Sequence, residues 1–517
     1  MKTDIDGHAV DTKIIDTTAQ TNVIRSLFLD DNVLDPAQDE EEDLKTTTDA
    51  RDSLYKKFVD ILEVAPHLNR QLVSAQANKN EPIYRWFKYK EGFSSSLVKY
   101  FLEEYSSTPG TLLDPFAGAG TTLFAGQTLG WKTCGIELLP VGSFVMHTRD
   151  QIQSVDIKEL ENISRTMWKK IHAIKKPGLH INHISITKDA FPEETEALLN
   201  KYLTYCSKIK TEALKALLQF VAFSVLEEIS FTRKDGQYLR WDYRSKRKLS
   251  GKAFDKGTIK PFQEAVDKKL SQIIEDLKPS AEQFLFPEPE LGPEAPLKDT
   301  APVDIITGSC LDELPKLKDE SVDFIITSPP YCNRYDYTRT YALELVFLGY
   351  ESDQVRNLRQ TLLSCTVENK EKIEYLREAY ALSGRSDAFE KVLSVYNGTA
   401  AMTEVNAVLD ELNQLGKMNN SNIPRMVKNY FLELCFTIYE MARVTKSGGY
   451  CVMVNDNVRY GGQEIPVDLI LSEFAERFNY KINKIFVLPR GKGNSSQQMG
   501  KHGRTEVRKC VYLWQKR

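Results

Sequence analysis

Val322-Asp323-Phe324-Ile325-Ile326-Thr327-Ser328-Pro329-Pro330-Tyr331 is an apolar run that ends in two hydroxyls, two prolines and an aromatic ring. The run lacks polar alternation, which predicts a strand buried on both faces, as in a parallel sheet. Its two prolines lock φ and remove two backbone donors, so nearby carbonyls are left to accept hydrogen bonds from something else. A rigid acceptor pocket beside an aromatic plate suits the exocyclic amino group of a flat base. Taken alone, a proline-terminated strand followed by an ordinary turn would account for the tetrapeptide equally simply.

Working outward, Val303-Asp304-Ile305-Ile306-Thr307 reads as the preceding strand, and Thr111-Leu112-Leu113-Asp114 and Thr133-Cys134-Gly135-Ile136-Glu137 as two earlier ones. Between those two, Thr121 to Leu129 predicts a helix. After Tyr331 the α/β pattern returns as helices over 427–444 and 466–477, with strands at 450–455, 482–488 and 508–514. Together these describe one doubly wound, Rossmann-like α/β domain of seven strands. Two mainly helical insertions interrupt it. The expected boundaries are an acidic, non-periodic arm at 1–48 and a helix plus the start of the α/β domain at 49–149. An insertion with a proline-rich linker follows at 150–300, and the strand ending in Ser328 lies within 301–351. A second insertion occupies 352–426, and the rest of the domain 427–517. The spacing of Leu54, Phe58, Ile61 and Leu62 predicts a helix from Asp49 to about Val73.

The 517 residues suffice for two or three domains with at least one large core. A hydrophobic fraction of 41% and a charged fraction of 27% are ordinary for a water-soluble globular chain. No segment approaches a membrane span, and Met1-Lys2-Thr3-Asp4 starts no signal peptide, so a cytoplasmic location and no membrane partner are expected. The eight cysteines form no CxxC pair, and His180 and His183 lack a second ligand pair, so no metal site is expected. A net charge of −4 conceals segregation. Residues 30–43 hold eight acids and no base, 233–260 hold ten Lys/Arg against three Asp, and 484–509 hold seven against Glu506. The two basic stretches are what phosphate contact requires, though solvated surface would explain either one alone.

Asp114-Pro115-Phe116-Ala117-Gly118-Ala119-Gly120-Thr121-Thr122 leaves a strand and opens a helix. Its glycines permit positive φ and close approach of a ligand, and the helix amino terminus offers free N–H groups. Glu137, at the end of the next strand, stands where an acid would bind the ribose hydroxyls of a nucleoside cofactor. No Gly-Lys-Ser/Thr follows, so the loop is not a phosphate-binding Walker loop.

At these residues the chain resembles the S-adenosylmethionine-dependent amino methyltransferases of DNA. Asp114 to Thr122 is similar to their motif I, and Ser328-Pro329-Pro330-Tyr331 to their catalytic motif IV. Arg85-Trp86-Phe87-Lys88-Tyr89-Lys90-Glu91-Gly92-Phe93-Ser94 resembles the segment placed before motif I, against the methionine part of the cofactor. The resemblance spans about residues 82–140, 302–345 and 427–515. It implies S-adenosylmethionine as cofactor, held by Asp114, Pro115, Phe116, Ala117, Gly118, Gly120, Thr121, Thr122 and Glu137, with Phe93 and Ser94. Core packing explains Phe93 and Trp86 as readily. Gly308-Ser309-Cys310 sits where the family has Gly-Asp-Ala against adenine; Ser309 departs from that pattern, with Asp312 close by.

The resemblance further implies methyl transfer to the exocyclic amino group of a flipped DNA base. Ser328 Oγ and the Pro329 carbonyl would accept the amino hydrogens, and Tyr331 would stack on the base. Serine before Pro-Pro-Tyr favours N4 of cytosine over N6 of adenine. An RNA methyltransferase or a silent nucleic-acid-binding subunit are the remaining alternatives. A cognate restriction endonuclease or defence-system subunits are the expected protein partners. DNA contact is expected from the interleaved basic and aromatic segment 230–248, through Arg233, Lys234, Arg240, Trp241 and Arg244, and from Arg490 and Lys492 near the carboxyl end. Residues 150–300 are the leading region for target recognition, and 352–420 the alternative.

Overall fold

A computed structural model describes residues 47–69, 71–235, 238–248, 253–278, 301–489 and 507–517, all within the unit Thr46–Arg517. The acidic stretch 30–43, the prolines at 287–296, Arg490, Lys492 and the polar loop 491–498 lie outside the described residues.

Twelve strands are described: β1 (Leu62–Val64), β2 (Thr111–Asp114), β3 (Lys132–Glu137), β4 (Thr232–Asp235), β5 (Tyr238–Trp241), β6 (Val303–Thr307), β7 (Val322–Thr327), β8 (Thr445–Asp456), β9 (Val458–Tyr460), β10 (Gln463–Ile465), β11 (Tyr480–Val487) and β12 (Lys509–Lys516). Eight of them form one sheet in the order β1-β11-β12-β8-β7-β2-β3-β6. Its pairs are parallel except those of β12, which runs antiparallel to both β8 and β11. The count is eight rather than seven because Leu62–Val64 adds an edge strand along Ile485–Val487. That strand replaces part of the helix expected over 49–73, which ends at Phe58. Pro66 keeps a helix from running on through this strand, since it has no donor for the Leu62 carbonyl and pushes Ala65 toward extended backbone.

From β2 the chain moves to β3 and β6 on one side, then returns to β7 and β8 on the other. The strand order therefore reverses between β2 and β7. In an open parallel sheet this reversal opens a crevice at the carboxyl ends of the strands, where ligands bind. Asp114 and Thr327 end the two strands that flank it.

Central strands are apolar because both faces are covered: Leu112, Leu113, Ile325 and Ile326 are fully buried. On one face the helix Ser95–Tyr105 places Leu97, Val98, Phe101 and Leu102 on the sheet at helical spacing. They join Leu112, Phe324, Ile326, Val452 and Val511 in one cluster. Burying each such side chain stabilises by about 1.5–3 kcal/mol. Helix Thr121–Thr128 packs behind the glycine loop, and Ile423–Val444 is buried along most of its length.

Between β3 and β6 lie the helices Ile157–His172, Glu193–Cys206, Glu212–Ser224, Leu226–Ile229 and Phe262–Leu277. Leu214, Leu217, Leu218, Val221 and Leu226 form part of their shared core. This stretch is not helical throughout, since β4 and β5 pair as an antiparallel ribbon inside it. Helices Ser352–Thr361, Ile373–Leu382, Ser386–Asn397 and Ala400–Gln414 fill the later region.

Candidate active site

A cavity of about 900 Å³ opens at the strand-order reversal. Asp114 to Ala119, Thr121, Glu137 and Ser309 line it, together with Phe93 and all four residues of Ser328-Pro329-Pro330-Tyr331. Residues more than two hundred positions apart thus share one wall.

Asp114 welds the two motifs. Its Oδ1 accepts from Thr327 Oγ1 at 2.7 Å and from the Phe116 amide at 3.0 Å, and its Oδ2 accepts from Thr122 Oγ1 at 2.7 Å. Burial pushes its carboxyl up to about 6, against the pull of these three donors. Thr122 is fully buried beneath the loop and supports it through Asp114, without lining the cavity. Gly120 likewise acts through conformation, capping helix Thr121–Thr128 at φ 80°. Gly118 has φ 54°, and a Cβ there would stand 2.9 Å from the Tyr89 ring. Only glycine fits that position.

Glu137 is buried with its Oε2 on the Gly118 amide and its Oε1 on the Leu139 amide, each at 2.6 Å. A carboxylate offers about four acceptor sites, so it retains capacity toward the cavity for hydroxyl donors. Burial lifts Glu137 to about 7. Both acids are therefore easier to protonate in the folded chain than unfolded, where they titrate near 3.8 and 4.5. Their contribution to stability is complete below about pH 4 and is lost as pH rises through 6 to 7. We expect the ligand-free protein to lose roughly 3 kcal/mol per group between pH 4 and pH 8. Urea unfolding checks this: Glu137→Gln should flatten the decline, and an equally steep decline in that variant would contradict the assignment.

Ser328 and Tyr331 are partly exposed into the cavity, while Pro329 is buried. Ser328 Oγ donates to the Tyr331 hydroxyl at 3.4 Å, a long bond that holds it weakly. Burial pushes the Tyr331 phenol up, so it stays neutral. Asn333, Tyr335 and Tyr337 extend the same wall. Asp336 instead caps the helix Tyr337–Thr340 and pairs with Arg339 and Arg359. Asn455 is also structural, donating to Tyr430, whereas Asp456 reaches the cavity.

Several expected contact residues have structural roles, and two of them, Ser94 and Asp312, do not line the cavity. Ser94 is an N-cap, accepting from the Leu97 amide and donating to the Leu72 carbonyl, and does not line the cavity. Trp86 lines the cavity while packing on Phe220 and donating to Asp276, which also binds Arg85. Phe93 belongs to the sheet-face core and also lines the cavity. Ser309 caps the short helix Cys310–Glu313 at the cavity wall. Asp312 points away and receives the Tyr375 hydroxyl, so it does not replace the missing aspartate.

In the ribbon, Arg233, Asp235, Tyr238 and Arg240 share the outer face, and Thr232, Lys234, Leu239 and Trp241 the inner. Arg233, Tyr238 and Arg240 are exposed. Lys234 is not: it is buried against Glu344 at 2.6 Å and lies 4.1 Å from the Tyr341 ring centre. Alternation along the strand turned it inward, where Glu344 neutralises it. Arg244 is bound by Asp242 at 2.7 Å, and Trp241 lies under Arg247 at 4.2 Å.

Tyr89 and Glu91, within the segment expected against the cofactor, line the cavity, and so does Arg149, which the sequence did not point to. Tyr89 stacks on Tyr341, and Glu91 accepts from the hydroxyls of both Tyr335 and Tyr341. Buried Arg149 donates to the Ala119 carbonyl at 2.6 Å, bracing the glycine loop. Their contacts span distant segments, which spacing alone does not reveal.

The family model described as DNA methylase matches residues 18–141. The type II methyltransferase M.AvaI of Anabaena variabilis is 43% identical over 472 residues, covering 90% of this chain and 92% of its own. The type II methyltransferase M.BsoBI of Geobacillus stearothermophilus is 41% identical over 480 residues, covering 90% and 91%. The type II methyltransferase M.MjaII of Methanocaldococcus jannaschii is 27% identical over 128 residues, 25% of this chain and 22% of its own. No solved structure matches the chain at a significant level.

Proposed function

The chain belongs to the type II DNA methyltransferases of the N4/N6 amino-methyltransferase family, and from that premise we propose that it methylates N4 of cytosine in a base turned out of the duplex. The observation that carries this reading is the shared cavity, with the Asp114–Thr121 loop and Ser328–Tyr331 on one wall and Thr327 bonded to Asp114.

S-adenosylmethionine, when bound, supplies an electrophilic methyl group on a sulfonium. The residues present suit it: a cavity of nucleoside size, a glycine loop with no room for a side chain, and Glu137 with acceptor capacity left for ribose hydroxyls. Ser309 stands at the cavity wall near Glu137, whose carbonyl accepts from the Gly308 amide at 3.1 Å.

The lone pair of an exocyclic amino nitrogen is delocalised into its ring. Acceptors for both amino hydrogens draw it back onto nitrogen and stabilise the developing positive charge. Ser328 Oγ and the Pro329 carbonyl are those acceptors, and the prolines hold them rigid. Tyr331 stacks on the base, which must leave the duplex to arrive. Base–aromatic stacking is worth about 1–3 kcal/mol. Tyr331→Ala should therefore raise KM for DNA roughly five- to hundredfold with unchanged affinity for S-adenosylhomocysteine. An unaltered KM would remove that role.

The choice of cytosine rests on Ser328, since serine before Pro-Pro-Tyr favours N4 of cytosine within the family. Mass spectrometry of nucleosides from DNA of cells expressing the protein tests it. N4-methylcytosine is expected; N6-methyladenine without N4-methylcytosine would overturn the base assignment. The outer face of the β4–β5 ribbon, with Arg233, Tyr238 and Arg240, is the surface we assign to DNA, within the recognition region 150–300. Among the described residues no helix is long and apolar enough to cross a membrane. A cytoplasmic enzyme that shields DNA from a cognate restriction endonuclease is the setting that best fits relatives named type II methyltransferases.

A further inference from the structure

A second recess, of about 400 Å³, lies between the β4–β5 ribbon and the segment before the glycine loop. It shares Phe87, Lys88, Lys90, Ser224 and Glu228 with the main cavity, so the two adjoin. Its walls bring six cations together with three carboxylates. Two of the cations are neutralised locally, Lys234 by Glu344 and Lys260 by Glu228.

The other four have no carboxylate partner among the described residues. Lys90 Nζ donates to the Lys234 carbonyl at 2.5 Å, and Lys256 Nζ to the carbonyls of Glu227 and Ser230. Arg233 lies on the Phe254 ring and reaches the Lys256 carbonyl at 3.4 Å, while Lys88 is exposed. Against these four stands only Glu227, the acid of the lining outside an ion pair. Four like charges converge on a concave surface, held by dipoles and a ring, with their counter-charge missing. Burial, with Arg233 nearby, pulls Lys256 down to about 8 against the opposing pull of Glu227, Asp242 and Glu228.

We propose that this recess is a phosphate site that grips one backbone phosphate of the DNA strand beside the turned-out base. A phosphodiester supplies the missing negative charge, with the lysines as point charges and Arg233 as a fork of donors. The sharing of Lys88 and Lys90 with the main cavity sets the gripped phosphate next to the base that enters it. The proposal rests on the DNA reading above and adds a contact that the glycine loop and Ser328–Tyr331 do not supply.

The test uses the full-length protein and a panel of duplexes, each with one phosphate replaced by a neutral methylphosphonate. Binding is compared for the wild type, Lys88→Gln, Lys256→Gln and Lys481→Gln. Lys481 is the second residue of β11, at the amino-terminal end of the strand and away from the cavity, and is the charge-matched control. One linkage should weaken wild-type and Lys481→Gln binding roughly tenfold when neutralised and weaken the Lys88 and Lys256 variants clearly less. The Lys88 and Lys256 variants should also show a salt dependence shallower than wild type, by up to about 0.9 in log–log slope. Because Lys256 also bonds two carbonyls, Lys88→Gln carries the comparison independently of folding. If every linkage costs all four proteins alike, the phosphate site is wrong although the methyltransferase reading stands. A wild type that binds no duplex overturns both.

Discussion

Ser328→Ala lowers the single-turnover rate of methyl transfer about 10²- to 10³-fold, the usual cost of deleting one preorganised partner of a developing charge, while affinity for S-adenosylhomocysteine is unchanged. The separation follows from position. Ser328 begins just after β7, and its Oγ engages only the Tyr331 hydroxyl at 3.4 Å among the described residues, so its removal strands no buried partner. The glycine loop depends instead on Asp114, whose partners are Thr122, Thr327 and Phe116. Loss of Ser328 thus leaves the cofactor side of the cavity standing and removes one acceptor for the amino hydrogens. Ser328→Thr, which keeps a hydroxyl, should retain more rate than alanine. A Ser328→Ala enzyme with wild-type turnover, or one that no longer binds S-adenosylhomocysteine, would contradict this division of roles.

Lys234→Met destabilises the protein by about 3–5 kcal/mol, because one half of a buried ion pair is left without the other. Glu344 is almost fully buried, with Lys234 at 2.6 Å, and burial already raises its carboxyl above the ordinary range. Alone it must either stay charged in an apolar setting or take up a proton. The loss should accordingly be greater at pH 8 than at pH 5, where protonation relieves it. Replacing both residues, Lys234→Met with Glu344→Leu, should recover much of the stability. The damage also reaches the site: Lys234 sits over Tyr341, which stacks on Tyr89 and donates to Glu91. Urea unfolding of the single and double variants decides the matter, and a single variant within 1 kcal/mol of wild type, well under that cost, would show the pair to be dispensable.

The wall of the candidate site was legible in the sequence because it follows local rules. Apolar runs such as Leu112-Leu113 and Phe324-Ile325-Ile326 announce buried parallel strands, and glycines or prolines at their ends announce what the crevice holds. The seven segments named from that pattern all lie in the sheet, and the cavity joins Asp114 to Ser328. The eighth strand was hidden because Leu62–Val64 is short, follows a helix and pairs with β11 more than four hundred residues away. Composition misled at the ribbon. Segment 230–248 is basic and aromatic throughout, yet the two-residue period of a strand turns Lys234 inward while Arg233 faces out. Ser94 misled for another reason, since a serine before an apolar helix is also an N-cap. Tyr89 and Glu91 fall in the segment expected against the cofactor, but their partners Tyr341 and Tyr335, and the bond from Arg149 to Ala119, arise only from tertiary contacts.

A crystal structure of the protein with S-adenosylhomocysteine tests the central claim, that cofactor and catalytic motifs share one cavity. The account predicts the ribose on Glu137 and the amino-acid moiety along the Gly118 loop. The sulfur should face Ser328, leaving space for a base amino nitrogen about 3–3.5 Å from the transferred methyl. Nucleoside density outside this cavity, or a sulfur turned away from Ser328, would contradict it.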